Sequence, residues 1–147
     1  MNTPSRRCFL KIVGVGSAVS GFGCSSGAAA PEAFGDVTAG NVSSISVGTL
    51  QAVSGAPAIL GRDDTGLYAM TSTCTHEGCD MIHDGTINDS GASCNCHGSR
   101  FDVNGKPIAG PAGATLQHFA VSIDATGAIT VHGGTEVDAT VRTAVSA

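Results

Sequence analysis

Apolar residues occur in short runs that end at glycine- and aspartate-rich breaks, the pattern of β-strands joined by tight turns rather than of amphipathic helices. Ser43 to Leu50 alternates loosely, and Pro57 to Gly61 and Leu67 to Ser72 are apolar strand candidates. Between the last two, Asp63-Asp64-Thr65-Gly66 has the residues of a hairpin turn. Phe119-Ala120-Val121-Ser122-Ile123 and Ala128-Ile129-Thr130-Val131 form another strand pair across an Asp124-Ala125-Thr126-Gly127 turn. No segment carries convincing helical periodicity or good caps, and no internal repeat of useful length is visible, so the expected class is all-β with antiparallel sheets.

Composition sharpens this picture. A chain of 147 residues is enough for one domain with a real core, and 21 glycines with only 4% aromatics fit a turn-rich β protein. Residues 25–41 are small, include Pro31 and show no sustained periodicity, which reads as a flexible tether. The folded domain is expected over 42–134 and a small-residue tail over 135–147, with a last strand reaching Val141 at most and no assigned role. All twelve acidic residues follow Cys24 while three of the seven basic ones precede it, so without the leader four basic residues face twelve acidic ones. Such a domain does not bind nucleic acid, whose phosphates demand a basic face, and suits a partner with a positive docking surface.

The first 24 residues read as an address. Ser5-Arg6-Arg7-Cys8-Phe9-Leu10-Lys11 matches the twin-arginine export signature, with Arg6 and Arg7 as its core, and an apolar stretch from Ile12 to Phe22 follows. That stretch falls short of the about twenty residues that span a bilayer comfortably. Gly21-Phe22-Gly23-Cys24 is similar to a lipoprotein cleavage site, with Cys24 as the lipidated residue; cleavage near Ala28-Ala29-Ala30 or retention of the leader as a tether are the alternatives. In each case the domain works outside the cytoplasm, on the periplasmic or extracytoplasmic face.

Candidate chemistry sits in two boxes, Cys74-Thr75-His76-Glu77-Gly78-Cys79 and Cys94-Asn95-Cys96-His97-Gly98-Ser99, each offering a thiolate and an imidazole. Cys74, His76, Cys94 and His97 are the expected metal ligands. Structural zinc usually takes paired cysteines from one knuckle and paired histidines from another, whereas a 2Fe-2S cluster with two cysteines on one iron and two histidines on the other fits mixed pairs. With Cys8 in the export signal and Cys24 at the lipid site, Cys79 and Cys96 remain over. In an oxidising compartment two unliganded cysteines beside a cofactor are expected to form a disulfide, which would tie the ligand loops together.

These boxes resemble those of the Rieske proteins of quinol-oxidising cytochrome bc complexes and their stand-alone bacterial relatives, over about Val42 to His132. Gly110-Pro111-Ala112 matches the loop that covers the cluster's third side in that family. The resemblance implies a Rieske-type antiparallel β sandwich with a small cluster-binding subdomain, one 2Fe-2S cluster per chain and the Cys79–Cys96 disulfide. It also implies that Ser99 donates a hydrogen bond to a bridging sulfide, while Phe101 replaces a tyrosine that donates to a ligand cysteine in high-potential members. One donor is kept and one lost, so the expected potential lies below that of the quinol-oxidising members yet inside the Rieske range of about −150 to +300 mV. Glu77 stands where a bulky apolar residue is usual, and an acid there also disfavours reduction. His83, His118 and His132 are given no special role, and Asp80, Asp84 and Asp89 are read as solvated loop charges that could join an acidic docking rim.

The resulting expectation is an exported, membrane-associated electron carrier. Its donor would be a quinol-oxidising or molybdenum subunit, and its acceptor a c-type cytochrome. The alternatives are the iron-sulfur subunit of a quinol-cytochrome c oxidoreductase or of a molybdenum oxidase of the arsenite-oxidising type, and, from another class, a redox-sensing or partner-binding module. No residue is assigned a catalytic role, because the boxes show no substrate pocket and the chain has no second metal motif.

Overall fold

The structure, a computed structural model, describes Pro31 and residues 33–146. The expectations for Arg6, Arg7 and Cys24 lie outside the described residues. Ten strands form two antiparallel sheets: β1 (Asp36–Asn41), β2 (Thr49–Ala52), β3 (Ala58–Arg62), β4 (Leu67–Thr71), β5 (Gly85–Asn88), β6 (Gly91–Cys94), β7 (Arg100–Phe101), β8 (Pro107–Ala109), β9 (His118–Ile123) and β10 (Ala128–Val137). Six make a curled sheet in the order β1-β10-β9-β4-β3-β2, and the remaining four a smaller sheet, β5-β6-β7-β8. The only helical piece among the described residues is one 3-10 turn at Val42–Ser44, so the all-β expectation stands.

Strand alternation divides the apolar residues between two cores. Ala58 and Leu60 of β3, Leu67 and Ala69 of β4, Phe119 of β9 and Ile129 and Val131 of β10 fill the inside of the curl. Their neighbours Ile59, Tyr68 and Met70 face the other way, where they meet Met81, Ala92, Cys94, Phe101 and Leu116 of the smaller sheet and its loops. β4 is therefore buried on both faces, which is why it reads as an unbroken apolar run. Gly61 lies opposite Tyr68 in the ladder, and a Cβ there would come within 2.3 Å of the tyrosine ring. Any larger residue at 61 would push that ring off the interface.

Three boundaries differ from the expectation. The tether ends earlier than 41, because Asp36–Asn41 is strand β1, paired with β10 through Val37 opposite Val131, and its Ala39 is buried. With one alanine as its only fully buried residue, this strand has almost no hydrophobic signature. The last long strand does not stop at Val131: the register shifts between His132 and Glu136, across Gly133-Gly134, and pairing resumes at Glu136 opposite Phe119. The tail from Thr135 is not loose either. Thr143 exchanges two backbone hydrogen bonds with Leu67, at 2.9 and 2.8 Å.

Arg142 turns this tail into a clasp. Its Nε donates to Asp63 at 2.6 Å, its guanidinium also donates to Asn104 Oδ1, and its Cζ lies 4.0 Å from the centre of the Tyr68 ring. Asp63 and Tyr68 belong to the large sheet, while Asn104 sits in the turn between β7 and β8, so one side chain joins the two sheets. The Tyr68 hydroxyl repeats the link by donating to the Val103 carbonyl at 2.9 Å. Arg142→Ala is expected to cost about 2 kcal/mol, read from denaturant midpoints, because it leaves Asp63 partly buried without its cation. Burial alone would raise the Asp63 pKa, but donation from Thr65 and Arg142 holds it down at about 2 against an ordinary 3.8. Its contribution to stability is thus complete above about pH 4 and is lost as pH falls towards about 2, since the unfolded chain binds the proton first. Thermal melts across that interval should fall more steeply for the wild type than for Asp63→Asn.

Candidate metal centre

The two boxes fold into the same turn. In each, the first residue's N–H donates to the sixth residue's carbonyl and the fifth residue's N–H donates back to the first: Cys74 to Cys79 and Gly78 to Cys74 at 2.8 and 2.9 Å, Cys94 to Ser99 and Gly98 to Cys94 at 2.8 and 3.0 Å. Both fifth residues are glycines in the left-handed region, with φ of 80° and 78°, where a side chain would be strained. One box leaves β4 and the other leaves β6, so two similar loops project side by side from the two sheets.

That placement pairs the expected ligands, thiol with thiol and ring with ring. Cys74 and Cys94 are buried free thiols, 1% and 2% exposed, and close enough to interact. Burial pushes the Cys94 thiol up, and the neighbouring Cys74 pushes it further, so a pair of bare thiolates is unfavourable there without a cation. The His76 and His97 rings meet edge to face with centroids 4.8 Å apart. His76 Nδ1 is buried without any hydrogen-bond partner, while His97 turns its Nε2 outward. A buried, unpartnered ring nitrogen and two buried free thiols, carried on the same two turns, fit a metal cluster that would supply the missing partners. The protein's part is to present two sulfur and two nitrogen donors on two rigid turns.

Cys79 and Cys96 form a disulfide across 17 residues, joining the sixth position of the first box to the third of the second. A third loop closes the side. Gly110 has φ of 84°, and a Cβ on it would lie 2.5 Å from the Gly98 carbonyl oxygen and 2.6 Å from Ser99 Cα, so the loop presses directly on the second box. Pro111 follows and is exposed, whereas Ala112 is buried and its N–H donates to Ser99 Oγ at 3.1 Å. Thr75 Oγ1 in turn donates to the Ala114 carbonyl at 2.7 Å. Ser99 is fully buried, and no protein acceptor for its hydroxyl proton is found among the described residues. Phe101 is buried in the interface core and has no hydroxyl to donate.

Several acids differ from their reading as loop charges. Asp80 accepts from Ser72 Oγ at 2.7 Å, Ile82 N–H at 3.0 Å and His83 Nδ1 at 2.7 Å. Burial opposes its ionisation, but these donors outweigh it and lower its pKa, so Asp80 is a structural knot behind the first box. Asp89 accepts from the Leu50 N–H at 3.3 Å and so reaches β2. Glu77 is exposed, with one carboxylate oxygen 3.4 Å from His97 Nε2. Elsewhere, His132 links Ser122 Oγ at 2.8 Å to Asp36 at 3.0 Å. That order is the one found in nucleophilic triads, but these residues lie on three adjacent strands of an open sheet face, which offers no wall to hold a substrate. His118 is buried with its Nδ1 at the Leu116 carbonyl, and burial lowers its pKa.

Residues 36–120 match the family described as Rieske [2Fe-2S] domain. The cytochrome b6-f complex iron-sulfur subunit of Prochlorococcus marinus is 37% identical over 81 residues, which is 51% of this chain and 43% of that protein. The chain therefore covers less than half the length of this curated relative. Among solved structures, a chain of the complex between reduced oxygenase and oxidised ferredoxin of carbazole 1,9a-dioxygenase aligns over 70% of this chain and 97% of its own, at 27% identity and a TM-score of 0.51. The cyanobacterial plasma membrane Rieske protein of Synechocystis PCC 6803 aligns over 65% of this chain and 97% of its own, at 25% identity and the same TM-score.

Proposed function

Because the chain belongs to the Rieske 2Fe-2S domain family, we propose that it is a one-electron carrier of an exported, membrane-associated redox chain. Cys74 and Cys94 would hold one iron, and His76 and His97 the other. The cluster, when bound, supplies a one-electron couple at a potential above that of all-cysteine clusters. What carries this reading is that two matched turns carry a pair of buried free thiols and a pair of edge-to-face imidazoles, one of them with an unpartnered buried Nδ1. The protein's residues exclude water from the sulfur side and leave a histidine edge open, the arrangement an electron donor or acceptor needs for close approach.

Export by the twin-arginine route, through Arg6 and Arg7, and anchoring through Cys24 or a retained leader are part of the proposal; the Cys79–Cys96 disulfide supports an oxidising compartment. No helix among the described residues is long and apolar enough to cross a membrane. The donor is a quinol-oxidising or molybdenum subunit and the acceptor a c-type cytochrome. A second reading, the iron-sulfur subunit of a quinol-oxidising complex, is favoured by the similarity to cytochrome b6-f subunits. Copurification from membranes as a stoichiometric complex with a dihaem membrane subunit is expected of the second reading alone and separates the two.

The test is a spectroelectrochemical titration of the full chain, following visible absorbance and the low-temperature paramagnetic signal. A colourless or zinc-only product from iron- and sulfide-sufficient cells refutes the reading. Ser99→Ala supplies a finer check. Its buried hydroxyl proton has no protein acceptor among the described residues and would be free to donate to a cluster sulfur, and hydrogen bonds to charged groups are worth about 1.5–3 kcal/mol. The variant should stay coloured and drop in midpoint by about 60–120 mV, taking 59 mV as a tenfold change for one electron.

A further inference from the structure

Glu77 is the only residue carrying a formal charge in the three loops that surround the centre: Cys74–Cys79, Cys94–Ser99 and Gly110–Ala114. Its carboxylate is exposed and lies 3.4 Å from Nε2 of His97, whose side chain is also exposed. That distance is long for a hydrogen bond but short for a charge acting on an N–H dipole. The turn of the first box, through the Cys74–Cys79 and Gly78–Cys74 hydrogen bonds, sets the Cα–Cβ direction of residue 77, from which the carboxylate reaches His97. His76, by contrast, keeps its Nδ1 buried and is only partly exposed, so of the two rings His97 is the exposed one, with the Glu77 carboxylate beside it.

We propose that Glu77 is a specificity-determining residue: it places a fixed negative charge on the His97 edge, which lowers the reduction potential and selects redox partners that present a cationic group at that edge. The proposal rests on the electron-carrier reading above. The physical argument needs no change of protonation. Reduction adds one negative charge to the centre, and a carboxylate against the ligand ring opposes that charge through the imidazole. The same carboxylate stands beside the outer nitrogen without a hydrogen bond to it, so a neutral hydroxyl compound approaching His97 gains no charge pairing from it. A lysine or arginine on a protein surface can instead pair with Glu77 and arrive in van der Waals reach of the ring. Lysine-rimmed electron acceptors are the matching partner class.

The experiment uses the full chain and its Glu77→Gln and Glu77→Leu variants, each with its cluster content measured. At one fixed pH both variants should shift the reduced-to-oxidised ratio about tenfold towards reduced, about 59 mV upward for a one-electron couple, with leucine moving it at least as far as glutamine. Stopped-flow oxidation of the reduced protein by anionic hexacyanoferrate(III) and by cationic tris(phenanthroline)cobalt(III) reads the second consequence. The ratio of the two rates largely removes the change in driving force, and it should shift several-fold in favour of the anionic oxidant in both variants and flatten with added salt. Coloured variants with wild-type midpoints and an unchanged rate ratio overturn the role of Glu77 while leaving the carrier reading intact. A wild-type protein without cluster sinks both.

Discussion

Cys94→Ser is expected to yield a folded, colourless protein, with iron and acid-labile sulfide falling from about one cluster per chain to a few per cent of that. The serine hydroxyl has nearly the volume of the thiol, so the packing around position 94, against Met70, Met81 and Phe101, survives the change. The chemistry does not. A serine alkoxide is too basic to form at neutral pH, whereas a thiolate is within reach once a ferric ion is present to offset the cost that burial and Cys74 impose. Losing one of four donors therefore removes the centre outright instead of merely weakening it. Circular dichroism should keep its β signal, because the disulfide, the Gly110 loop and the Arg142 clasp all persist without the cluster. A coloured Cys94→Ser protein with near-native iron content would show that Cys94 is not a ligand.

How much of this was legible in the chain depends on what each residue faces. β3 and β4 could be read because both faces of each are buried, which produces runs such as Leu67-Tyr68-Ala69-Met70. The hairpin turns could be read because Asp63 and Asp124 each cap their own turn, accepting from the N–H groups of Thr65 and Thr126. The smaller sheet was not legible. β7 and β8 are two and three residues long, and β5 exposes every second residue while contributing only Ile87 to the core. Such strands exist because the second box and the Gly110 loop hold them, not because their own sequence favours extension. Arg142 is another non-local case: nothing in Val141-Arg142-Thr143 announces a partner 79 residues earlier. The ligands, by contrast, were plain, since their chemistry is carried by residue type and spacing alone. The contact between Glu77 and His97 lies in between. The acid is visible as a departure in the box, but only the turn geometry shows which ring it reaches.

The disulfide should show the second large effect, and the form of the substitution decides how it appears. The Sγ atoms of Cys79 and Cys96 lie within 4.8 Å of Cys94 Sγ, so oxidation does two things at once: it ties the two ligand turns together, and it removes two thiols that would otherwise compete for iron. Closing a 17-residue loop is worth about 3 kcal/mol in the chain-entropy account. The double variant Cys79→Ala with Cys96→Ala should lose that amount in chemical denaturation of the cluster-free protein. It should still assemble the cluster when made with iron and sulfide, because all four ligands remain, but it should release the cluster faster on heating as the two turns part. The single variant Cys79→Ala has an additional fault. It leaves Cys96 as a free thiol one residue from His97 and close to Cys94, where a soft ligand can displace one imidazole and give a three-sulfur, one-imidazole set with a lower potential. Counted by cluster content and by the homogeneity of the paramagnetic signal, the single variant should therefore be worse than the double, whereas a purely mechanical staple predicts no difference between them. Equal behaviour of the two would mean that the bond matters only as a tether, and a double variant as stable as the wild type would mean that the Gly110 loop and the Thr75 and Ser99 hydrogen bonds already hold the turns in place.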